Sequence, residues 1–560
     1  MVRTKTMNCL SLVISLILIF TVFFNVYACG CGDENCDGSC TISGVFQKES
    51  DIANKLPYVY SDSYFKNSSS QYNSSLATMS LCLELSAFAN KGNVGTDYQH
   101  QSKNVKELLA NIGFKDIQVN QDFEIKPTAN TIGVATANKE IHIDGKKYTL
   151  IPIIVRGGGY EAEWANNMLT GSTGNHRGFD NAAMAAKKFV DNYINSTEGI
   201  GKNLKFWIVG YSRGGAVAGL VGKLYNDSCN SYDCAGALVN YNKDVNIDRD
   251  DIYTYTFEAP MGYSEEISNK CGKYYNIHNI INDDDFVTKL ALSEWGFLRP
   301  GVDHKLLEER KPEEINMVKT ILGKMCTNVY GKDKVEYKAD KFHTYGCNWF
   351  SEDISTQSKF LNAFFKMISN NIFEKYSKDK HMHIQKIVKY KRLAYSEHED
   401  IVARFVGLVQ SDEVFIKALH NSLGTFLDEN SKSALVGKVA ISNSKLKEIV
   451  RNVVESTFVE YNLKQSKINP DKQVSREEID TLEKGISDLL ISVNKIANYR
   501  YFYIFIKNID NITTMHDPEI CLATLINKDE KNRHLYLNEM DNILYDFADN
   551  NKYAVNKDAA

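Results

Sequence analysis

The sequence predicts an α/β fold with a mostly parallel central sheet and a large helical insertion. Over residues 76–300, short runs rich in β-branched and aromatic residues alternate with helical patterns, which is typical of βαβ units. Over residues 301–500, long amphipathic patterns follow one another and predict a mostly helical segment. The length of 560 residues agrees with a core domain that an insertion interrupts.

The N-terminus has the order of segments found in a secretory signal peptide. Arg3 and Lys5 precede an apolar run over residues 10–24, and a small residue ends the segment. This order predicts a signal peptide over residues 1–28 and a protein that is secreted or held in the cell envelope. Two alternatives remain. One is an uncleaved membrane anchor, for which the apolar run is short. The other is lipidation of Cys29, because Val-Tyr-Ala-Cys loosely resembles a bacterial lipobox.

Twelve cysteines agree with export to an oxidising compartment, where disulfide bonds persist. Four lie in the stretch CGCGDENCDGSC at residues 29–40, where disulfides are favoured over a metal site because no histidine lies nearby. Cys229 and Cys234 flank a short polar loop and are candidates for a pair, although the connectivity stays open. Residues 29–75 are predicted to form a Cys-rich and polar segment, with residues 41–75 on the surface of the fold.

Residues 76–300 are predicted to form the first part of the core. Helices are predicted at residues 76–88, 105–112, 178–193 and 214–225. Strands are predicted at residues 131–135, 140–143, 149–155, 204–209, 252–257 and 275–281. Because strands alternate with helices, most strands are expected to run parallel in one sheet.

A serine between two glycines is the strongest candidate for a nucleophile. Gly210, Ser212 and Gly214 form a Gly-x-Ser-x-Gly pattern that directly follows the apolar run LKFWIV and opens a helix. Such a turn needs small flanking residues, and the helix N-terminus places backbone N–H groups beside the serine oxygen. The pattern is typical of the nucleophile elbow of the α/β-hydrolase fold, with the Arg213 N–H as an oxyanion donor. The alternative is a tight turn with an incidental serine.

Three consecutive aspartates are the candidates for the acid that orients a catalytic histidine. In this fold the chain order is serine, acid, histidine. Residues 283–285 follow the predicted strand in YNIHNIINDDDFVTKL, at the carboxyl end where such sheets keep their active sites. Position alone leaves the choice among the three open.

Four blocks, in order, resemble the class 3 lipase family, and most closely its secreted clostridial-type members. VRGGGYEAEW with HRGF resembles the Arg-Gly turn and His-x-Gly-Phe of the family, and IVGYSRGGAVAGL resembles its nucleophile elbow. YTFEAPMG resembles its Phe-x-x-Pro strand end, and DDFVTKL its Asp-x-Val-Pro-x-Leu segment. The resemblance covers roughly residues 80–300 and 510–525, and it implies Asp285 as the acid, with Asp284 as the alternative, because Asp285 stands two residues before Val287.

The resemblance also implies the remaining site residues. TMHDPEICLATL around His516 resembles the late His-x-x-Glu segment of the family, which makes His516 the base, with His343 in FHTYGC as the alternative. The second oxyanion donor is the backbone N–H of Gly158, where the family usually has serine or threonine, so a hydroxyl donor is missing here. The chain also has Thr288 where proline is usual.

The predicted function is a serine hydrolase that cleaves carboxylic esters of acylglycerols or related lipids through a Ser-Asp-His triad and an acyl-enzyme. The alternatives are a phospholipase A1 or short-chain esterase and, from another class, a catalytically idle surface or binding protein on the same fold. No cofactor or metal is expected, and the histidines of HMH at residues 381–383 are interpreted as incidental. A net charge of −5 offers no basic field for nucleic acid, and no obligate protein partner is indicated.

The helical insertion at residues 301–500 is a candidate lid. Within it, helices are predicted at residues 358–373, 401–426, 446–463 and 475–499. The insertion begins just after the acid and ends just before residues 501–560, the part of the core that carries the predicted base. Both of its ends are therefore expected at the catalytic face, where lids lie. The alternative is a remote structural appendage.

Overall fold

The computed structural model describes the core, parts of the insertion and the segment around His516. The described residues are 40–45, 55–87, 102–125, 130–157, 161–229, 241, 244–264, 274–306, 311–325, 392, 395–396, 399–409, 413–435, 439–468, 470–494, 499, 503–505, 515–538 and 540. The predicted signal peptide, the predicted helix at residues 358–373 and the HMH sequence lie outside them. No helix among the described residues combines the length and apolar character needed to cross a bilayer.

Eleven strands are present in the described residues. They are β1 (Cys40–Val45), β2 (Lys55–Tyr60), β3 (Lys115–Val119), β4 (Val134–Ile143), β5 (Lys146–Val155), β6 (Asn203–Tyr211), β7 (Asn246–Phe257), β8 (Tyr263–Ser264), β9 (Ile277–Ile281), β10 (Phe297–Leu298) and β11 (Val302–Lys305). Seven form the central sheet in the order β11-β9-β7-β6-β5-β4-β3. The pairs from β11 to β5 are parallel, whereas β4 and β3 are added antiparallel at one edge. The predicted mostly parallel sheet is confirmed.

Twelve labelled helices accompany the strands. They are α1 (Ser74–Ala87), α2 (Lys103–Asn111), α3 (Glu161–Asn167), α4 (Arg177–Ser196), α5 (Arg213–Asp227), α6 (Glu399–Val409), α7 (Glu413–Leu419), α8 (Thr425–Glu429), α9 (Ser431–Leu435), α10 (Asn443–Ile468), α11 (Arg476–Asn494) and α12 (Pro518–Lys528). One apolar cluster joins α1, α2 and α12 to the sheet, and a separate cluster joins α4 and α5 to it. The core is thus a sheet between two helical layers.

The sequences of the core elements explain their places in these layers. The central strand β5 ends in the continuous apolar run LIPIIV and is buried from Leu150 to Val155, as a strand covered on both faces requires. Helix α1 is apolar or small on nearly every side and is buried along almost its whole length. Helix α4 instead buries one stripe, which includes Ala182, Ala186 and Val190 at helical spacing.

The two strands predicted at residues 131–135 and 140–143 form the single strand β4. The polar sequence between them suggests a turn, yet pairing with β5 continues through Lys139, opposite Leu150. Lys139 is buried, and its ammonium lies 2.7 Å from a carboxylate oxygen of Asp62 and 4.5 Å from the ring centre of Tyr60. These partners offset the cost of burying the charge, so the strand is not interrupted.

Part of the segment expected on the surface lies in the core. The strand β2 and the turn after it bury Tyr58, Tyr60 and Phe65 completely. The ring centre of Phe65 lies 5.3 Å from that of Trp207 in the central strand β6. The Ser- and Asn-rich composition around these aromatic residues concealed a buried element.

The first residues of the predicted insertion form β11, which pairs in parallel with β9 and so belongs to the central sheet. The described residues that follow it are mostly helical. The predicted helices at residues 446–463 and 475–499 correspond to α10 and α11, and Ser475 Oγ accepts the N–H of Glu478 at 3.2 Å at the head of α11. The helical pattern predicted at residues 401–426 is helical at every described position. It comprises α6, α7 and a π-helical turn at His420–Gly424 that leads into α8, and residues 410–412 lie outside the described residues. The apolar residues keep one helical spacing across these elements, so the sequence pattern does not reveal the local change from α-helical to π-helical hydrogen bonds.

Candidate active site

The strand-to-helix turn between β6 and α5 holds Ser212 in an unusual conformation. Its φ is +55°, a value seldom adopted by residues other than glycine. The flanking glycines are needed for space: a Cβ on Gly210 would lie 2.2 Å from the carbonyl oxygen of Gly214, and a Cβ on Gly214 would lie 2.2 Å from that of Val155. The Ser212 N–H donates to the Phe257 carbonyl at 2.8 Å, which ties the turn to the neighbouring strand.

His516 bridges the serine and one of the three aspartates. Its Nε2 lies 2.8 Å from Ser212 Oγ, and its Nδ1 lies 2.6 Å from Oδ2 of Asp285. With the proton on Nδ1, the ring donates to the carboxylate and Nε2 accepts the serine hydroxyl, which is the arrangement that makes a serine nucleophilic. The structure therefore brings together Ser212, Asp285 and His516, the three residues that the sequence predicted for the triad.

Asp285, rather than Asp284, contacts the imidazole. The Asp285 side chain is fully buried, and its Oδ1 accepts the N–H of Val287 at 2.8 Å, which leaves Oδ2 for His516. Thr288, which replaces the usual proline, donates its hydroxyl to the Asp285 carbonyl at 2.7 Å. The departure from the family pattern thus adds a hydrogen bond that fixes the turn.

The base is held in place by β6 and by the turn after β9. The Tyr211 hydroxyl donates to the His516 carbonyl, and the two ring centres are 5.3 Å apart. Asn282 Nδ2 donates to the carbonyl of Met515 at 3.4 Å. The His516 side chain is 17% exposed, so it remains accessible from the solvent side of the site. The alternative base, His343, lies outside the described residues.

The predicted oxyanion donors are only partly described. Arg213 is the first residue of α5, where a backbone N–H has no partner within the helix and can serve a developing oxyanion. Gly158 lies outside the described residues. The N–H of the preceding Gly157 donates to Oε1 of Glu84 at 2.8 Å, and burial raises the pKa of Glu84. Glu84 is a site residue that the sequence reasoning missed, since nothing in α1 signals its distant partner.

Two buried arginines, Arg156 and Arg213, are held by polar partners near the strand-to-helix turn at Ser212. A guanidinium nitrogen of Arg156 lies 2.8 Å from Glu163, and both side chains are 1% exposed. The Arg213 guanidinium donates to the Thr131 carbonyl at 2.9 Å, and burial lowers the pKa of Arg213. These contacts hold Arg156, near the end of the described strand region, and Arg213, which is one of the two predicted donors.

A second carboxyl that the sequence reasoning missed lies behind Asp285. Glu258 follows β7 directly and is 1% exposed, and its side chain contacts those of Asp285 and Cys521. Burial, followed by the charge of Asp285, raises the pKa of Glu258 well above its ordinary value. An acidic residue immediately after the apolar strand in YTFEAPMG was the available signal.

Other buried histidines have structural partners. His176 caps α4 by accepting the N–H of Phe179 at 3.4 Å, and burial lowers its pKa to about 3. His278 Nδ1 lies 3.0 Å from His304 Nε2. The Cys229 thiol donates to the Tyr225 carbonyl at 3.3 Å, whereas Cys234, its predicted partner, lies outside the described residues. In the described residues no group of three or more side chains has the makings of a metal site.

A family comparison bears directly on this geometry. Residues 158–295 match the model of the family described as Lipase (class 3). This segment is therefore similar to class 3 lipases. It contains Ser212 and Asp285, whereas His516 lies beyond it, past the helical insertion. The predicted resemblance to the class 3 lipase family is confirmed over this segment, and the predicted α/β-hydrolase fold agrees with the mostly parallel sheet and the strand-to-helix turn at Ser212.

Solved structures similar to this chain include several lipases. The triacylglyceride lipase of Rhizomucor miehei is 16% identical, with 42% of this chain and 80% of that chain covered and a TM-score of 0.25. Lipase II of Rhizopus niveus is 14% identical, with 41% and 76% covered and a TM-score of 0.24. M37 lipase is 14% identical, with 39% and 69% covered and a TM-score of 0.26. No relative among curated proteins matches the sequence.

Proposed function

We propose that this chain is a secreted lipase that cleaves acylglycerols or related lipid esters with Ser212, His516 and Asp285 as its triad. The observation that carries the proposal is the position of His516 between Ser212 Oγ, at 2.8 Å, and Asp285 Oδ2, at 2.6 Å. Both distances are within hydrogen-bonding range, as a nucleophile, base and orienting acid require.

In the proposed mechanism the serine forms an acyl-enzyme. The Ser212 hydroxyl gives its proton to His516 Nε2 as its oxygen bonds to the ester carbonyl carbon, and Asp285 stabilises the resulting imidazolium. The N–H groups of Arg213 and Gly158 bind the carbonyl oxygen as it becomes negative. The bond to the alcohol oxygen then breaks, and that oxygen takes the proton from Nε2. Water repeats the sequence on the acyl-enzyme and releases the carboxylic acid.

A lipid ester is the proposed substrate because residues 158–295 match the class 3 lipase model. The proposal is tested by comparing hydrolysis of triacylglycerol, phospholipid and short p-nitrophenyl esters, with Ser212→Ala as the control. Preference for triacylglycerol supports a lipase, whereas preference for the sn-1 ester of a phospholipid or for short esters assigns a phospholipase A1 or an esterase. If the wild type hydrolyses none of them, the chain is a catalytically idle relative.

Secretion is proposed from the basic, apolar and small-residue order of residues 1–28. The N-terminal residue of the protein recovered from the medium and from the cell envelope would test it. Cleavage after residue 28 supports a free secreted enzyme. A lipid-modified Cys29 or an intact N-terminus would assign the protein to the envelope.

A further inference from the structure

Glu258 combines a backbone conformation and a degree of burial that are both energetically unfavourable for a glutamate. It adopts φ +48°, in the left-handed region that favours glycine, at the end of β7. Its N–H donates to the Ile280 carbonyl at 2.9 Å, and its Oε2 accepts the N–H of Asn282 at 2.8 Å. The backbone is therefore fixed on both sides, and the carboxyl is directed into the buried space behind the proposed triad.

Two further groups meet the Glu258 side chain in that space. One is the carboxyl of Asp285, and the other is the thiol of Cys521 in α12, five residues beyond His516. Two carboxyls in contact and closed to water cannot both be ionised, so one of them holds a proton. Both oxygens of Asp285 already accept hydrogen bonds, Oδ1 from the Val287 N–H and Oδ2 from His516 Nδ1–H.

The proton therefore belongs to Glu258. Burial raises its pKa more than any other influence, and the neighbouring Asp285 charge raises it further. The other titratable groups that face this pair are Tyr211 at the end of β6 and Cys521 in α12. Burial raises the pKa of each above its ordinary value. Asp517, just before α12, acts on Tyr211 from the same side.

We propose that Glu258 is a positioning residue for the triad: as a neutral carboxylic acid it donates a hydrogen bond to Asp285 and so fixes the carboxylate that orients His516. The inference rests on the proposed function. In this arrangement the hydrogen bonds run from Ser212 through His516 to Asp285 and on to Glu258. The added donor spreads the negative charge of Asp285, which weakens its hold on the imidazolium.

Three variants separate positioning from simple structural support. Glu258→Gln keeps a donor for Asp285 and an acceptor for the Asn282 N–H, whereas Glu258→Leu keeps the size and removes both. Asp529→Asn is the matched control, because Asp529 is a buried carboxylate just after α12 that accepts from Ser75 Oγ at 2.7 Å, away from the triad. Each is compared with the wild type in kcat and in kcat/KM as a function of pH.

Glu258→Leu should lower kcat roughly tenfold to a hundredfold, the effect of one hydrogen bond to a charged group. It should also move the acid limb of kcat/KM to higher pH, because Asp285 would then hold the imidazolium more strongly. Glu258→Gln should remain close to the wild type, and Asp529→Asn should leave the pH profile in place even if it lowers stability. A Glu258→Gln variant as impaired as Glu258→Leu, or an unshifted profile in Glu258→Leu, would overturn the proposal.

Two spectroscopic measurements do not depend on turnover, so they separate this inference from the proposed function. Infrared spectroscopy at pH 7 should show a protonated carboxyl band that disappears in Glu258→Gln, and its absence would overturn the inference even if Glu258→Leu does not fold. The downfield proton signal of His516 Nδ1–H, assigned by its loss in His516→Ala, should be retained in Glu258→Gln. If the wild type shows both signals but hydrolyses no ester, the proposed function fails while the positioning of Asp285 stands.

Discussion

Ser212 and His516 are 304 residues apart in the chain, yet Ser212 Oγ and His516 Nε2 are 2.8 Å apart in the fold. The segment that carries the base is bound to the N-terminal part of the core. Ser75 Oγ donates to Asp529 at 2.7 Å, and Asn532 Nδ2 donates to the Tyr64 hydroxyl at 2.9 Å. The site is therefore completed only when both ends of the described chain pack together on one face of the sheet.

Replacement of the nucleophile gives the first prediction. Ser212→Ala should abolish ester hydrolysis, with a loss of several orders of magnitude, because nucleophile and base act as a unit. A fluorophosphonate probe should label the wild type at Ser212, as mass spectrometry of the digested protein would show. The exposed Ser196 at the end of α4 offers a matched control, and Ser196→Ala should keep full activity. Labelling at another residue would refute the assignment.

The adjacent aspartates give the second prediction. Asp285→Asn should reduce kcat by roughly 10⁴-fold, since an amide at that position stabilises the wrong tautomer of the histidine. Asp284→Asn changes the neighbouring buried carboxyl by the same chemistry and should cost far less, because Asp285 Oδ2 is the atom at 2.6 Å from His516. Both are measured as kcat on one ester, with circular dichroism to verify folding. The reverse order would mean that the acid is Asp284.

The sequence predicted best what is determined locally. The elbow around Ser212 was predictable because strand, small residues and helix are adjacent in the chain, and the steric need for Gly210 and Gly214 is met within that turn. Three consecutive aspartates left the acid open, and only the family resemblance selected Asp285. The same holds for His516, which the insertion separates from the rest of the site.

What the sequence did not predict depends on contacts between distant residues. Lys139 does not interrupt β4 because Asp62, 77 residues earlier, lies beside its ammonium. Glu84 holds the Gly157 N–H across 73 residues. The pKa of Glu258 is raised by burial and by Asp285, and its side chain also meets that of Cys521; these partners come from a later turn and from helix α12. No periodicity or local motif encodes such partners.

The choice of base gives the third prediction. His516→Ala should eliminate both hydrolysis and fluorophosphonate labelling, because Ser212 would lose the group that accepts its proton. His343→Ala should keep most of the activity. Labelling intensity and initial rates are measured together, with thermal unfolding as a test of folding. Loss of labelling in His343→Ala, with labelling kept in His516→Ala, would move the base into the insertion.

A buried histidine pair gives the fourth prediction, on stability and pH. Burial lowers the pKa of His278 to about 4, whereas an unfolded chain has the ordinary value near 6.5. Between these values the unfolded state binds more protons, so stability falls as pH falls from about 6.5 to about 4. His278→Gln keeps a donor for the Ser69 carbonyl, which His278 Nε2 contacts at 2.9 Å, and removes the titration.

From pH 7 to pH 5 the wild type should lose about 2 kcal/mol more of its free energy of unfolding than His278→Gln does. Urea unfolding at the two pH values measures this difference. His142→Gln, at an exposed histidine of β4, should lose as much as the wild type. If all three proteins change in parallel, His278 does not contribute to the acid sensitivity.

The fifth prediction concerns the insertion, whose helix α6 packs against α3 and the residues that lead into α4. The Glu399 carboxylate at the start of α6 accepts from Thr170 Oγ1 at 3.1 Å and from the Gly171 N–H at 3.0 Å, and it pairs with Arg177 at 3.2 Å. Farther along α6, a Cβ on Gly407 would lie 3.0 Å from the Cβ of Ala165 in α3. Helix α3 begins three residues after Gly158, so α6 packs on the segment that follows the predicted oxyanion donor.

If the insertion is a lid, then its packing on the core blocks dissolved ester molecules from reaching Ser212, and binding to a lipid surface opens it. Glu399→Ala removes the hydrogen bonds and the ion pair that hold α6 on the core. It should therefore raise hydrolysis of a dissolved ester and reduce the ratio of activity on emulsified to dissolved ester. Glu478→Ala is the control. Glu478 of α11 pairs with Arg404 of α6 at 2.6 Å, so both partners lie within the insertion, and the variant should leave the ratio unchanged. An unchanged ratio in folded Glu399→Ala, or a wild-type enzyme equally active on both forms of the ester, would show that the insertion is a structural appendage.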